Sequence, residues 1–171
     1  MKCDRCENTV AYSRKYSGEN LCSSCFSRSI VHKTTKTMSK YNMIKGGGGA
    51  LLREKILISV AKKVVIIADE SKFVKKLERS IPVEVYPFAR NIADMQIREY
   101  GGKSQIRLLE RGYPFVTENG NIILDCDFGQ IQNPKELAAK IIGIPGVIEV
   151  GIFPKPDIIY KAKKNGKYEI L

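Results

Sequence analysis

KGGGGALLREK, Lys45 to Lys55, is the stretch on which the reading of this 171-residue chain turns. Four consecutive glycines run straight into a strong helix former. Glycine lets a backbone come close to a ligand and take φ > 0 without strain. A helix starting there aims unpaired N–H groups and the positive end of its dipole back at the loop, which suits a phosphate or another anion. A flexible linker between two domains is the plainer interpretation of four glycines. Glu54 argues against it. On a helix beginning near Ala50, its neighbours on the same face are Ala50, Leu51, Leu57, Ile58 and Ala61, all apolar. A carboxylate in that company is expected to be partly buried, and desolvation raises its pKa towards that of a general base. Lys45 then offers a cation on the other side of the glycines.

Working outward, the pattern predicts a helix over Ala50–Lys63 and a continuous apolar strand, Val64–Ala68, of the kind found in doubly covered parallel sheets. Asp69, Glu70, Ser71 and Lys72 lie just past its carboxyl end, where open α/β sheets place ligands. Lys72 there is either a phosphate contact or an exposed lysine. From Pro82 the spacing predicts strand Val83–Tyr86, helix Arg90–Tyr100 stopped by Gly101-Gly102, and strands Ser104–Leu109 and Phe115–Glu118. An Asn119-Gly120 turn leads to strand Asn121–Phe128. A helix capped by Asn133-Pro134 and ending at Ile142 comes next, then strand Val147–Phe153. That order, βαββαβ, is a ferredoxin-like sandwich. Asp157–Lys161 and Tyr168–Leu171 flank Asn165-Gly166 and are expected to return to the first sheet. The fold class is therefore α/β. A partial Rossmann-like parallel layer (45–81 with 154–171) carries a ferredoxin-like subdomain (82–153), preceded by a small zinc ribbon and helix in residues 1–44.

The leader has its own chemistry. Cys3-x2-Cys6 and Cys22-x2-Cys25, separated by fifteen residues, have the spacing of a two-knuckle zinc site. A disulfide pair or a redox CxxC are the alternatives. With no signal-like leader and no apolar run long enough to cross a membrane, a reducing cytoplasm is expected, and with it structural zinc. Cys126 is expected in the core instead. Phe26, Ile30, Met38 and Tyr41 fall on one helical face. The first 44 residues carry eight Lys/Arg against three Asp/Glu, within a net charge of +11. Such a surplus suits an RNA backbone, and equally a solvated basic face.

The glycine segment, together with VVIIADESK (Val64–Lys72), PVEVYPFA (Pro82–Ala89), YGG (Tyr100–Gly102), FVTENGNIILD (Phe115–Asp125) and IPGVIEVGIF (Ile144–Phe153), closely resembles ribose-5-phosphate isomerase type A. The resemblance implies aldose–ketose isomerisation of ribose 5-phosphate, a pentose phosphate pathway reaction, through an enediolate. It makes Glu54 the base and Lys45 the stabiliser of the oxyanion, and it assigns Lys45, Gly46, Gly47, Gly48 and Lys72 to the substrate. It implies no organic cofactor, and a homo-oligomer is possible.

The leader, ending SKYNMI, resembles the N-terminal zinc finger and helix of tRNA 2-thiolation proteins of the PP-loop ATPase class, although no ATP-binding SGGxDS-type loop follows it. The chain thus reads as a fusion or chimera of two partial proteins joined near Met43–Lys45. The isomerases' upstream phosphate loop and their Gly-Ala-Asp-x-x-Asp pair have no counterpart in the sequence, so impaired turnover is expected. The predicted first helix and strand are expected to lack neighbours, leaving a sheet edge and apolar surface open. The alternative is a non-catalytic zinc-finger module that binds tRNA or a protein partner through its basic leader.

Overall fold

Apolar residues alternating with period two, or running unbroken, must be covered on one or both faces. The architecture follows from that requirement. The computed structural model describes residues 42–171 and Met38 in full, and before them the backbone of 14–16, 19–21, 29–32 and 37. In the leader, β1 (Arg14–Tyr16) and β2 (Glu19–Leu21) pair antiparallel. Strands β3 (Ser29–His32), β4 (Thr37–Met38) and β5 (Asn42–Ile44) precede the glycine loop, and α1 (Leu51–Val60) and β6 (Lys63–Asp69) follow it.

The helical face expected for Ile30 and Met38 does not form, since Ile30 stands in β3 and Met38 in β4. The parallel ladder of β3 with β6, from Ser29 opposite Lys63 to His32 opposite Ile66, takes up the β-branched pair Ile30-Val31, whose propensity favours a pleated surface. Phe26, Tyr41, Cys3, Cys6, Cys22 and Cys25 lie outside the described residues.

The ferredoxin-like unit comprises β7 (Ile81–Val85), α2 (Arg90–Glu99), β8 (Lys103–Ile106), β9 (Ile122–Asp127), α3 (Pro134–Ile142) and β10 (Val147–Val150). Its antiparallel sheet has the order β10-β7-β9-β8, as βαββαβ requires. Ile81, Val83, Val85, Ile122, Leu124 and Cys126 face α2 and α3, where Ala93, Ile97 and Ile141 meet them. The opposite face is buried as well. Ile123 packs there with Leu51, Ile66, Phe153 and Met43. The Asn133 side chain accepts the Glu136 amide and Pro134 opens α3, the predicted cap.

Several boundaries differ from the sequence expectation, and three of them have a clear physical cause. The first helix is shorter, because Lys63 already belongs to β6. Phe115–Glu118 is not a continuous strand: only the single bridge of Val116 with Ile122 forms within it, and the neighbouring bridge of Leu108 falls on Pro114, which has no N–H to give a ladder. The predicted strand Val147–Phe153 is two strands. At Gly151 the chain leaves β10 and continues as β11 (Ile152–Pro154) in a different sheet, paired with β5. A Cβ on Gly151 would stand 2.5 Å from the Lys45 carbonyl and 2.6 Å from Pro82, so only glycine allows three backbone segments to converge.

The remaining sheet has the order β13-β12-β6-β3, with β12 (Ile158–Ala162) and β13 (Tyr168–Ile170) joined across Asn165-Gly166. Gly166 takes φ +78° in that turn. Both neighbours of β6 are parallel to it. The neighbour expected to be missing beside this strand is supplied by β3, and β12 returns on its other side, as expected. Apolar surface does remain on α1, where Ile56 and Val60 are exposed. No described helix is long and apolar enough to cross a membrane.

Candidate active site

Lys45 follows β5 directly, and its amide donates to the Gly151 carbonyl at 2.9 Å. The side chain is then directed inward and carries no solvent exposure. Its Nζ stands 3.3 Å from Glu54 Oε1 and 5.8 Å from the centre of the Phe153 ring. Burial pushes the Lys45 pKa below the ordinary 10.5, and the neighbouring Glu54 carboxylate pushes it back up. Glu54 occupies the first turn of α1 with its side chain 22% exposed, while its Oε2 atom is itself buried.

The two residues flanking Glu54 hold the helix in place. Arg53 bonds Glu118 and donates to Asn119 Oδ1 at 3.2 Å. Lys55 donates at 2.7 Å to both Glu149 Oε1 and the Val150 carbonyl. Each tie runs from α1 to the ferredoxin-like unit. Glu54 therefore sits on a helix clamped on both sides of it, and an acid–base group needs that positional precision.

The glycine loop is a tight turn, closed by the Gly49 amide donating to the Gly46 carbonyl at 3.0 Å. Gly46 has φ +90° and Gly49 φ +82°, a region that costs a residue with Cβ about 1 kcal/mol or more. A Cβ on Gly49 would also strike the Phe115 ring, whereas one on Gly48 meets nothing within 4 Å. The loop side of Gly48 is open. Ala50 offers no side-chain cap, so the first-turn N–H groups of α1 are left for whatever occupies the space before them. Arg107 donates from below to the Gly46 and Gly47 carbonyls while pairing with Asp125.

Sequence inspection missed this last pair and a second polar cluster. Glu84, fully buried on the side of β7 away from the helices, accepts at one oxygen from Thr117 Oγ1 (2.9 Å), Asn119 Nδ2 (3.0 Å) and Asn121 Nδ2 (2.9 Å). A signal existed in both cases: an acidic residue inside an apolar strand, as in PVEVY and IILDC, has to be partnered. The structure brings Lys45, Glu54 and the glycines together. Lys72 stands in the short 3-10 helix Glu70–Lys72, just past β6. There the Ser71 hydroxyl, and beyond it the Lys72 charge, hold Asp69 below the usual carboxylate range. Cys126 is a buried free thiol whose pKa is pushed up by burial, as expected of a core residue. Among the described residues no group of His, Cys, Asp and Glu is arranged to hold a metal.

A sheltered ammonium beside a carboxylate, next to open peptide N–H groups, can bind a small anion and move a proton at a carbon next to a carbonyl. The family model for ribose 5-phosphate isomerase A (phosphoriboisomerase A) matches residues 31–166, and that for the 2-thiouridine synthetase TtuA N-terminal LIM domain matches residues 2–27. Ribose-5-phosphate isomerase A of Methanosarcina acetivorans is 45% identical over 134 residues, covering 78% of this chain and 57% of that protein. The Archaeoglobus fulgidus protein of the same name is 48% identical over 120 residues, covering 68% and 53%. The chain thus spans about half the length of these curated relatives. Among solved structures, ribose 5-phosphate isomerase A of Methanocaldococcus jannaschii superposes with a TM-score of 0.77 at 39% identity, covering 84% of this chain and 64% of that one. A D-ribose-5-phosphate isomerase in complex with phospho-erythronic acid gives 0.78 at 32% identity, with the same coverage. The α/β fold, the glycine loop and these relatives lead to one conclusion: the chain belongs to the ribose 5-phosphate isomerase A family.

Proposed function

We propose that this chain carries the proton-transfer site of a ribose 5-phosphate isomerase. The observation that supports it most directly is the Lys45–Glu54 pair, 3.3 Å apart at the mouth of the glycine loop. Glu54, as carboxylate, takes the C2 proton of the open-chain aldose. The electron pair moves into the C1–C2 bond and charge develops on the C1 oxygen, where Lys45 meets it. Return of the proton to C1, with the hydroxyl proton passing from O2 to O1, gives the ketose with no change in composition. Gly46, Gly47, Gly48 and Lys72 contact the sugar phosphate in this scheme. The absent phosphate loop and Asp pair would have oriented the substrate through remote binding energy, so turnover by the chain alone is weak. Conversion of ribose 5-phosphate to ribulose 5-phosphate by purified protein, abolished in Glu54→Gln, tests the scheme. Folded protein with no turnover, or with turnover that survives this substitution, refutes it.

A second reading concerns the leader and is favoured by the match over residues 2–27. Cys3, Cys6, Cys22 and Cys25 form a four-thiolate set suited to tetrahedral zinc, and the β1–β2 hairpin lies between the two pairs. Zinc there would be structural, and the basic leader would then offer a surface for tRNA. Salt-dependent tRNA binding that disappears on deletion of residues 3–28 supports this role, and binding that survives the deletion excludes it.

A further inference from the structure

Beneath the glycine loop one guanidinium meets four oxygens. Arg107 directs Nε at Asp125 Oδ2 (2.8 Å) and Nη2 at Asp125 Oδ1 (2.5 Å), while Nη1 donates to the carbonyls of Gly46 (3.1 Å) and Gly47 (2.8 Å). The bidentate pair with the carboxylate fixes the plane of the guanidinium, and the remaining edge is left for the loop. Both side chains are sheltered, Arg107 13% and Asp125 26% exposed. The Phe115 ring lies 5.9 Å from the guanidinium and fills the space that a Cβ on Gly49 would need. Arg107 and Phe115 are joined in turn, since the Phe115 amide donates to the Arg107 carbonyl at 2.8 Å. Two residues of the ferredoxin-like unit thus form a seat for a loop some sixty positions earlier in the chain.

In a trans peptide the C=O and the following N–H point in opposite directions. Pinning the Gly46 and Gly47 carbonyls on Arg107 therefore turns the Gly47 and Gly48 amides to the far side of the loop, which is open. We propose that Arg107, held in plane by Asp125, is a positioning residue: it presents two loop amides as donors to an anionic oxygen of the substrate. The claim about the anion rests on the isomerase reading.

The test uses the full chain and two variants, Arg107→Lys, which keeps the charge but loses the fork, and Asp125→Asn, which frees the guanidinium plane. Hydrogen exchange at the Gly49 amide, which closes the loop on the Gly46 carbonyl, is followed beside that of β7 and β9. Losing hydrogen bonds from a charged donor should speed loop exchange roughly tenfold or more while the sheet stays protected. Loop exchange unchanged in both variants overturns the proposal, as does exchange that rises equally throughout the chain. If Arg107→Lys does not fold, Asp125→Asn carries the same comparison. Phospho-erythronic acid is the binding probe. Weakening of its affinity by about tenfold in the variants, with Glu54 and Lys45 untouched, supports the amide-donor role, and equal affinity overturns it. If the unaltered chain neither binds phospho-erythronic acid nor turns over ribose 5-phosphate, the isomerase reading fails, and loop exchange still decides whether Arg107 seats the loop.

Discussion

The Lys45 ammonium and the Glu54 carboxylate meet at 3.3 Å, the first with no solvent exposure and the second partly open. Burial makes Lys45 bind its proton less tightly in the folded chain than in the unfolded one. Between its lowered folded pKa and the ordinary 10.5, the unfolded state therefore holds more protons, and this lysine contributes a stability that rises with pH. Below that interval its contribution is flat. Chemical denaturation of the wild type and of Lys45→Met across alkaline pH should show the wild type gaining relative to the variant as pH rises. A constant difference would show that the lysine titrates as it does in water.

Gly48 and Gly49 separate the loop's backbone demand from its openness. Gly49→Ala meets both φ +82° and the Phe115 ring, and should lower stability by about 2–3 kcal/mol in urea denaturation. Gly48→Ala meets open space and should leave stability within about 0.5 kcal/mol. If Gly48→Ala also weakens phospho-erythronic acid binding, the open side of the loop faces the ligand.

Glu84 collects the Thr117 hydroxyl and the Asn121 amide inside the protein, so its loss leaves buried donors behind. Glu84→Ala should cost roughly 3 kcal/mol. Glu84→Gln keeps an acceptor oxygen without a buried charge and should cost much less. Equal losses in the two variants would mean that the carboxylate charge matters more than the hydrogen bonds.

For the leader, metal analysis of protein purified without chelator should find about one zinc per chain, lost in a Cys22→Ser, Cys25→Ser double variant. Because the cysteines lie in the first 25 residues, the ferredoxin-like unit should unfold at an unchanged denaturant concentration in that variant. Full metal content after the substitution would rule out these ligands.

Features set by neighbours in the chain were legible from the sequence. Asn133-Pro134 caps a helix, Asn165-Gly166 turns a hairpin, and the apolar residues around Glu54 mark a half-buried face, because each depends on dihedral preference or on spacing along one element. The βαββαβ order followed from the same local signals. Tertiary structure decided what required distant segments to meet. Ile30, which fits a helical face by spacing, lies in a strand because β6 offers it a parallel edge. A seemingly continuous strand divides at Gly151 because the Lys45 carbonyl and Pro82 crowd that point. Arg107 and Asp125 acquire a role only when folding carries the glycine loop onto them. Local chemistry places Lys45 and Glu54 on either side of the glycines. Long-range packing brings them within 3.3 Å, since only the folded core removes Lys45 from water and leaves Glu54 as the carboxylate beside it.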